Sequence, residues 1–264
     1  LASAEGFVRQ VLGWREFVRH VHVETDGFRR LPEGDPPTNG WPGDGGWSNW
    51  TGEDWQPIGT QTDPDGGARP NVLDADASLP PAFWGTESGL ACLDHVVADV
   101  WREGWSHHIT RLMILSNLST LLDVDPRALT DWFWVAYTDA WDWVVEPNVL
   151  GMGTYAIGGV MTTKPYVSGT PYIHKMSDYC EQCAFHPKKT CPISNLYWDF
   201  LDRHREHFAG NQRMAMPLRS SQKRSDAKKD EDRRVFEHLR SALAAGEAVT
   251  PDSVEAARSG QEVT

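Results

Sequence analysis

YIHKMSDYCEQCAFHPKKTCPISNLYWDFLDRHREHFAGNQRM, residues 172–214, carries the two signals that decide the fold. Its later part, NLYWDFLDRHREHF at 195–208, repeats apolar residues at three- and four-residue steps, as an amphipathic helix does. Ahead of it, residues 148–192 alternate glycine, proline and short apolar pieces, which predicts an irregular segment holding three of the four cysteines. Outward from there the helical pattern recurs. EGFVRQVLGWREFVRHVH (5–22) puts Phe7, Val8, Val11, Leu12, Trp14, Phe17, Val18 and Val21 on one broad face, and further helices are expected at 88–103 and 106–123. Asp125-Pro126 reads as an N-cap followed by proline at the first helical position. The helix it opens should run to about Val145 and stop before Pro147. No strand pattern of any length and no internal repeat is present, so the fold class is mainly α.

Two stretches depart from this pattern. Residues 32–70 are dominated by Pro, Gly, Asp and Thr and punctuated by Trp41, Trp47, Trp50 and Trp55, a long loop of the kind usually functional or mobile. Arg219–Arg240 holds eight basic and five acidic residues, net +3, leaving −15 on the rest of the chain. A solvated helix and a frayed tail are expected there, dividing the chain into 1–218 and 219–264.

A chain of 264 residues with 40% hydrophobic content can bury one sizeable core or two modest ones. The net charge of −12 repels nucleic acid unless a local basic patch intervenes. No apolar run is long enough for a membrane span, and LASAEGFVRQ lacks the form of a signal peptide, which points to a cytoplasmic protein. Without a starting Met, the chain reads as a fragment beginning inside a domain. Its 13 tryptophans are an excess. Packing explains most single indoles, while stacking on flat cofactors, base binding or electron transfer would explain so many together.

Cys180-x2-Cys183 is a metal-ligand pair; Cys191 follows it and Cys92 heads a distant helix. Four thiolates satisfy either a structural zinc or a [4Fe–4S] cluster, and zinc is the commoner outcome of such spacing. A pair of disulfides is a third option, less favoured without a signal peptide. The proline after Cys191 leans slightly towards iron–sulfur.

His107 and His108 open a helix, and adjacent helical residues point about 100° apart, so one can line a pocket while the other caps. A histidine there can act as a general acid, though a satisfied pair at a helix start is the commoner case. Trp134, Tyr137 and Trp141 step by three and four into an aromatic stripe, with Asp139 and Asp142 as surface neighbours on the same helix. Those carboxylates need partners if buried; an arginine, a ribityl hydroxyl or a flavin N–H would serve.

The segment 172–214 resembles the signature of the iron–sulfur bacterial cryptochromes and photolyases, of which the prokaryotic (6-4) photolyases are the best-known members. The likeness extends upstream through EGFVRQVLGWREFVR, NVLDADASLPPAFWGTESGLACL, EGWSHHITRLMILSN, YTDAWDWVVEPNVLGMG and MTTKPYVSGTPYIHKMSDYC, covering most of 5–218. It implies a helical FAD-binding catalytic domain with a C-terminal iron–sulfur portion, in which Cys92, Cys180, Cys183 and Cys191 hold a [4Fe–4S] cluster; this overturns zinc. It implies a lesion pocket with His107 and His108, electron-donating Trp84 and Trp132, a flavin flanked by Asp139, Asp142 and Asn148, and a DNA face with Lys164 and Tyr166. The implied activity is light-dependent electron transfer from reduced FAD to a damaged pyrimidine pair flipped out of DNA.

The chain departs from the family in four places. The family's antenna-pigment domain and flavin-phosphate loop would precede residue 1, so an antenna pigment is expected only there. Residues 32–70 form a longer loop than the family's, the Cys183–Cys191 interval is shorter, and Val145, Glu146 and Asn148 leave the group at the flavin N5 unassigned. A light sensor acting through a partner, or an inactive remnant that keeps the cluster, are the alternatives to repair.

Overall fold

The computed structural model describes residues 2–31, 56–57 and 67–261. The tryptophans at 41, 47, 50 and 55 lie outside the described residues. Twelve α-helices are described: α1 (Ala2–Gln10), α2 (Phe17–Glu24), α3 (Ala91–Glu103), α4 (His108–Thr110), α5 (Asn117–Leu121), α6 (Pro126–Ala136), α7 (Asp142–Glu146), α8 (Thr170–Met176), α9 (Ile193–Arg203), α10 (Ala215–Gln222), α11 (Asp226–Ala244) and α12 (Pro251–Ser259). Wide π-helical turns at Val11–Glu16, Arg111–Ser116 and Pro147–Gly153 interrupt the helical runs. The β-structure among the described residues is a two-residue antiparallel ladder of β1 (Arg30–Leu31) with β2 (Gln56–Pro57) and one isolated bridge between Ala77 and Val124.

The main core is built around Leu93, Val97, Leu115, Leu118, Leu121, Leu129, Trp132, Leu196 and Phe200. A smaller cluster joins Val18 and Phe28 to Leu150, Ile157 and Met161. The broad face expected over 5–22 is only partly used. Val18 is buried, but Phe7, Val8 and Leu12 are exposed, and a π turn at Val11–Glu16 separates α1 from α2.

The N-cap before Pro126 forms as its residues dictate: the Asp125 carboxylate accepts from Arg127 N at 2.7 Å and Ala128 N at 3.4 Å. The helix then ends at Ala136, well short of the expected Val145. Tyr137 is extended (φ −112°, ψ 137°), its hydroxyl meets Ser106 Oγ at 2.8 Å, and Thr138 N donates to Gly104 O at 2.9 Å. These contacts with the α3–α4 corner pull the chain out of the helix. The aromatic stripe through Tyr137 and the helical pairing of Asp139 with Asp142 are therefore both corrected.

The solvated helix and frayed tail expected after 219 are also corrected. Helix α11 packs along α9 and α12 and buries Val235, Phe236, Leu239 and Leu243 in the main core; α12 adds Val254 and Ala257. The charge pattern conceals this because Asp232, a helix-interior carboxylate, is buried against Asn195 and Arg224 rather than solvated.

Candidate functional site

Three separated pieces of chain bring the cysteines together. Cys92 sits in the first turn of α3, Cys180 in a short 3-10 turn at Tyr179–Glu181, and Cys191 just before Pro192 and α9. The loop between them is drawn tight by one acceptor, since the His186 carbonyl takes N–H donors from Lys189, Thr190 and Cys191 at 3.0–3.1 Å. Thr190 Oγ1 in turn accepts from His186 N at 2.7 Å. All four cysteines then line a single small cavity of about 10 Å³, walled by Leu90, Ile173, Phe185 and Ile193.

All four cysteines are free, which removes the disulfide option. Among the described residues no group of three or more His, Cys, Asp or Glu is arranged to hold a metal ion. A single tetrahedral zinc would require sulfurs about 3.8 Å apart, given Zn–S bonds near 2.3 Å. Burial, and then the neighbouring thiols, push Cys92 far above the ordinary thiol range; burial also raises Cys191 and Cys180. Without a positive centre these groups stay protonated thiols, and a metal centre would have to displace their protons.

The two histidines lie closer than helical spacing suggests, with ring centroids 4.2 Å apart. His107 is extended rather than helical (φ −63°, ψ 146°) and caps α4, its Nδ1 accepting from Ile109 N at 3.2 Å. The 100° rule therefore does not apply to the pair. Behind them Arg111 makes a bidentate pair with Asp139 at 3.0 Å for both bonds and lies 4.0 Å over the Tyr137 ring. Asp142, the first residue of α7, is exposed. Asn148 accepts from Trp14 Nε1 at 3.2 Å and donates to Val144 O at 2.7 Å. No hydrogen bond among the described residues joins Asp139, Asp142 and Asn148, and none of them borders the cysteine cavity.

Trp132 is fully buried and Trp84 is 56% exposed. Trp101, not singled out in the sequence, lies between them, 5.6 Å from Trp84 and 6.3 Å from Trp132 by ring centroids. Trp101 Nε1 and Trp132 Nε1 both donate to Phe83 O, at 3.0 and 2.9 Å. The spacing of Trp101 on α3, nine residues after Cys92, carried no signal; only the fold brings the indole to its neighbours.

Lys164 and Tyr166 lie on a loop pinned by two buried asparagines that the sequence reading missed. Asn211 Nδ2 donates to Thr163 O at 2.8 Å, and the Asn117 amide both donates to Ser168 O at 3.0 Å and accepts from Ser168 N at 2.9 Å. Tyr166 is left exposed at its turn.

A (6-4) photolyase of Agrobacterium fabrum is 35% identical to this chain over 222 residues, 82% of the chain and 36% of the photolyase. The chain thus spans little more than a third of that relative's length. An uncharacterized protein, R855, of Acanthamoeba polyphaga mimivirus is 33% identical over 98 residues, 37% of the chain and 76% of that protein. No protein-family model matches.

Proposed function

We propose, on a homology that supports a place in the photolyase/cryptochrome family, that this chain is the cluster-bearing, C-terminal part of a light-dependent DNA repair flavoprotein of the (6-4) photolyase type. The observation that carries the reading is the meeting of Cys92, Cys180, Cys183 and Cys191 around one apolar-walled cavity. Four cysteines bordering one cavity match the ligand number of a [4Fe–4S] cluster. A [4Fe–4S] cluster there would tie the start of α3 to the loop before α9, a structural clamp in the first instance.

FAD, when bound, supplies the photoexcited electron for splitting a damaged pyrimidine pair. The partly exposed Arg111–Asp139 pair and the exposed Asp142 would be the polar groups facing it, Asn148 being bonded to Trp14 and Val144. His107 and His108 would meet the lesion, with Lys164 and Tyr166 on the DNA side. Trp84 and Trp132 would pass electrons inward from the surface, with Trp101 as the stepping stone between them.

Anaerobically purified protein, assayed for iron, sulfide, zinc and flavin on one sample, tests the cofactors. About four irons per chain with absorption near about 400 nm are expected; one zinc and no iron would sink the cluster. Repair of (6-4) photoproducts under light, set against undamaged DNA, tests the activity. Tight flavin with no preference for the lesion would favour a light sensor instead.

A further inference from the structure

Pro187 and Cys191 border both the cysteine cavity and a second, open one of about 480 Å³, which Lys188 and Lys189 also line and which α9, α11 and α12 bound. That volume lies within the range of small-molecule sites. Its floor is a connected polar chain. Buried Asn195 donates to Asp232 Oδ1 at 2.8 Å and accepts from Arg258 Nη2 at 2.8 Å, which also donates to Thr190 O at 2.9 Å. The other oxygen of Asp232 is gripped by Arg224 Nε and Nη2 at 2.9 and 2.5 Å, and the Arg224 guanidinium lies 4.9 Å from the Trp198 ring centroid.

Five cations line the cavity (Lys188, Lys189, Arg224, Lys228 and Arg258) against three carboxylates, giving +2 on a chain of −12. The carboxylates are already committed: Asp232 as above, Glu231 to Lys228 at 2.7 Å, and Glu255 to Arg258 at 3.5 Å. Arg224 Nη1 and the exposed ammonium groups of Lys188 and Lys189 make no hydrogen bond among the described residues. Surplus cationic donors beside an indole with an arginine stacked on it suit a ligand joining an anion to a flat ring.

We propose that this cavity binds a nucleotide through its phosphate. Lys188, Lys189 and Arg224 Nη1 take the phosphate oxygens in charge-assisted hydrogen bonds, and the base lies against the Trp198–Arg224 platform. The site uses none of His107, His108, Lys164 or Tyr166 and does not depend on the repair reading. A free nucleotide and the end of a nucleic-acid strand present the same group.

Calorimetric titration of the purified full chain with deoxyadenosine monophosphate, deoxyadenosine and a short 5′-phosphorylated oligodeoxyadenylate separates the cases. The monophosphate should bind saturably and the nucleoside at least about tenfold more weakly, because only the nucleoside lacks the charged acceptor. Lys188→Glu with Lys189→Glu alters exposed side chains outside the arginine network. This variant should keep its circular dichroism and lose phosphate-dependent binding by more than about tenfold. A strand that binds more tightly than the monophosphate and displaces it identifies a nucleic-acid end as the ligand; the reverse order identifies a free nucleotide. Failure of both phosphate-bearing probes, monophosphate and strand, to saturate at millimolar concentration, or equal binding by the charge-reversed variant, overturns the proposal. Iron and flavin contents of the same sample report on the cofactors separately.

Discussion

His108 shows how one side chain's surroundings set its chemistry. Partial desolvation, then His107, then Arg111, lower the proton affinity of this largely exposed side chain below the ordinary histidine value of about 6.5. It is therefore neutral at pH 7. The unfolded chain takes up the proton first as pH falls, so protonation of His108 works against the fold below about pH 6.5. An imidazole NMR titration should place its midpoint below that of free histidine, and His107→Asn should raise it. A midpoint at or above the free value would remove the electrostatic pairing and leave only the contact.

Between elements, the most consequential contact is a buried charge network. Glu146 of α7 meets His22 Nε2 of α2 at 2.7 Å and Arg127 Nη1 of α6 at 3.0 Å. Arg127 continues to Asp131 at 2.7 Å and to Ala68 O at 3.3 Å. Glu146 and Arg127 are each 2% exposed, so removing one charge strands the other where water cannot solvate it. Glu146→Gln should cost about 3–5 kcal/mol in urea denaturation. A loss under about 1 kcal/mol would mean that the network is wetter than its burial indicates. Helix α2 is held through this network and the small cluster around Phe28.

At the scale of the molecule, the C-terminal helices close the structure over the start of the cysteine helix. Val249 N donates to Ser88 O at 2.9 Å, and the Val249 carbonyl passes so near Gly89 that an added Cβ would stand 2.0 Å from its oxygen. Gly89 also has φ +79°, a conformation that side chains resist. Gly89→Ala should therefore release the 247–249 segment and lower stability by more than the ~1–2 kcal/mol of a left-handed residue alone, with Cys92 losing its fixed place. Thermal unfolding with thiol-reactivity kinetics would check both effects. Unchanged kinetics would separate the C-terminal helices from the cysteine site. No described helix is long and apolar enough to cross a membrane.

The sequence by itself determined the helical class and the capped start of α6, because periodicity and capping are local properties of the chain. By resemblance it also led to the (6-4) photolyases, one of which is 35% identical to this chain over 222 residues. Tertiary structure alone decided where α6 ends, because the hydrogen bonds that stop it reach back to Gly104 and Ser106. It likewise decided that α11 is core and that Trp101 joins Trp84 to Trp132. Those outcomes depend on partners tens of residues away, and a charged helix or a lone indole gives no local sign of which neighbour will desolvate it.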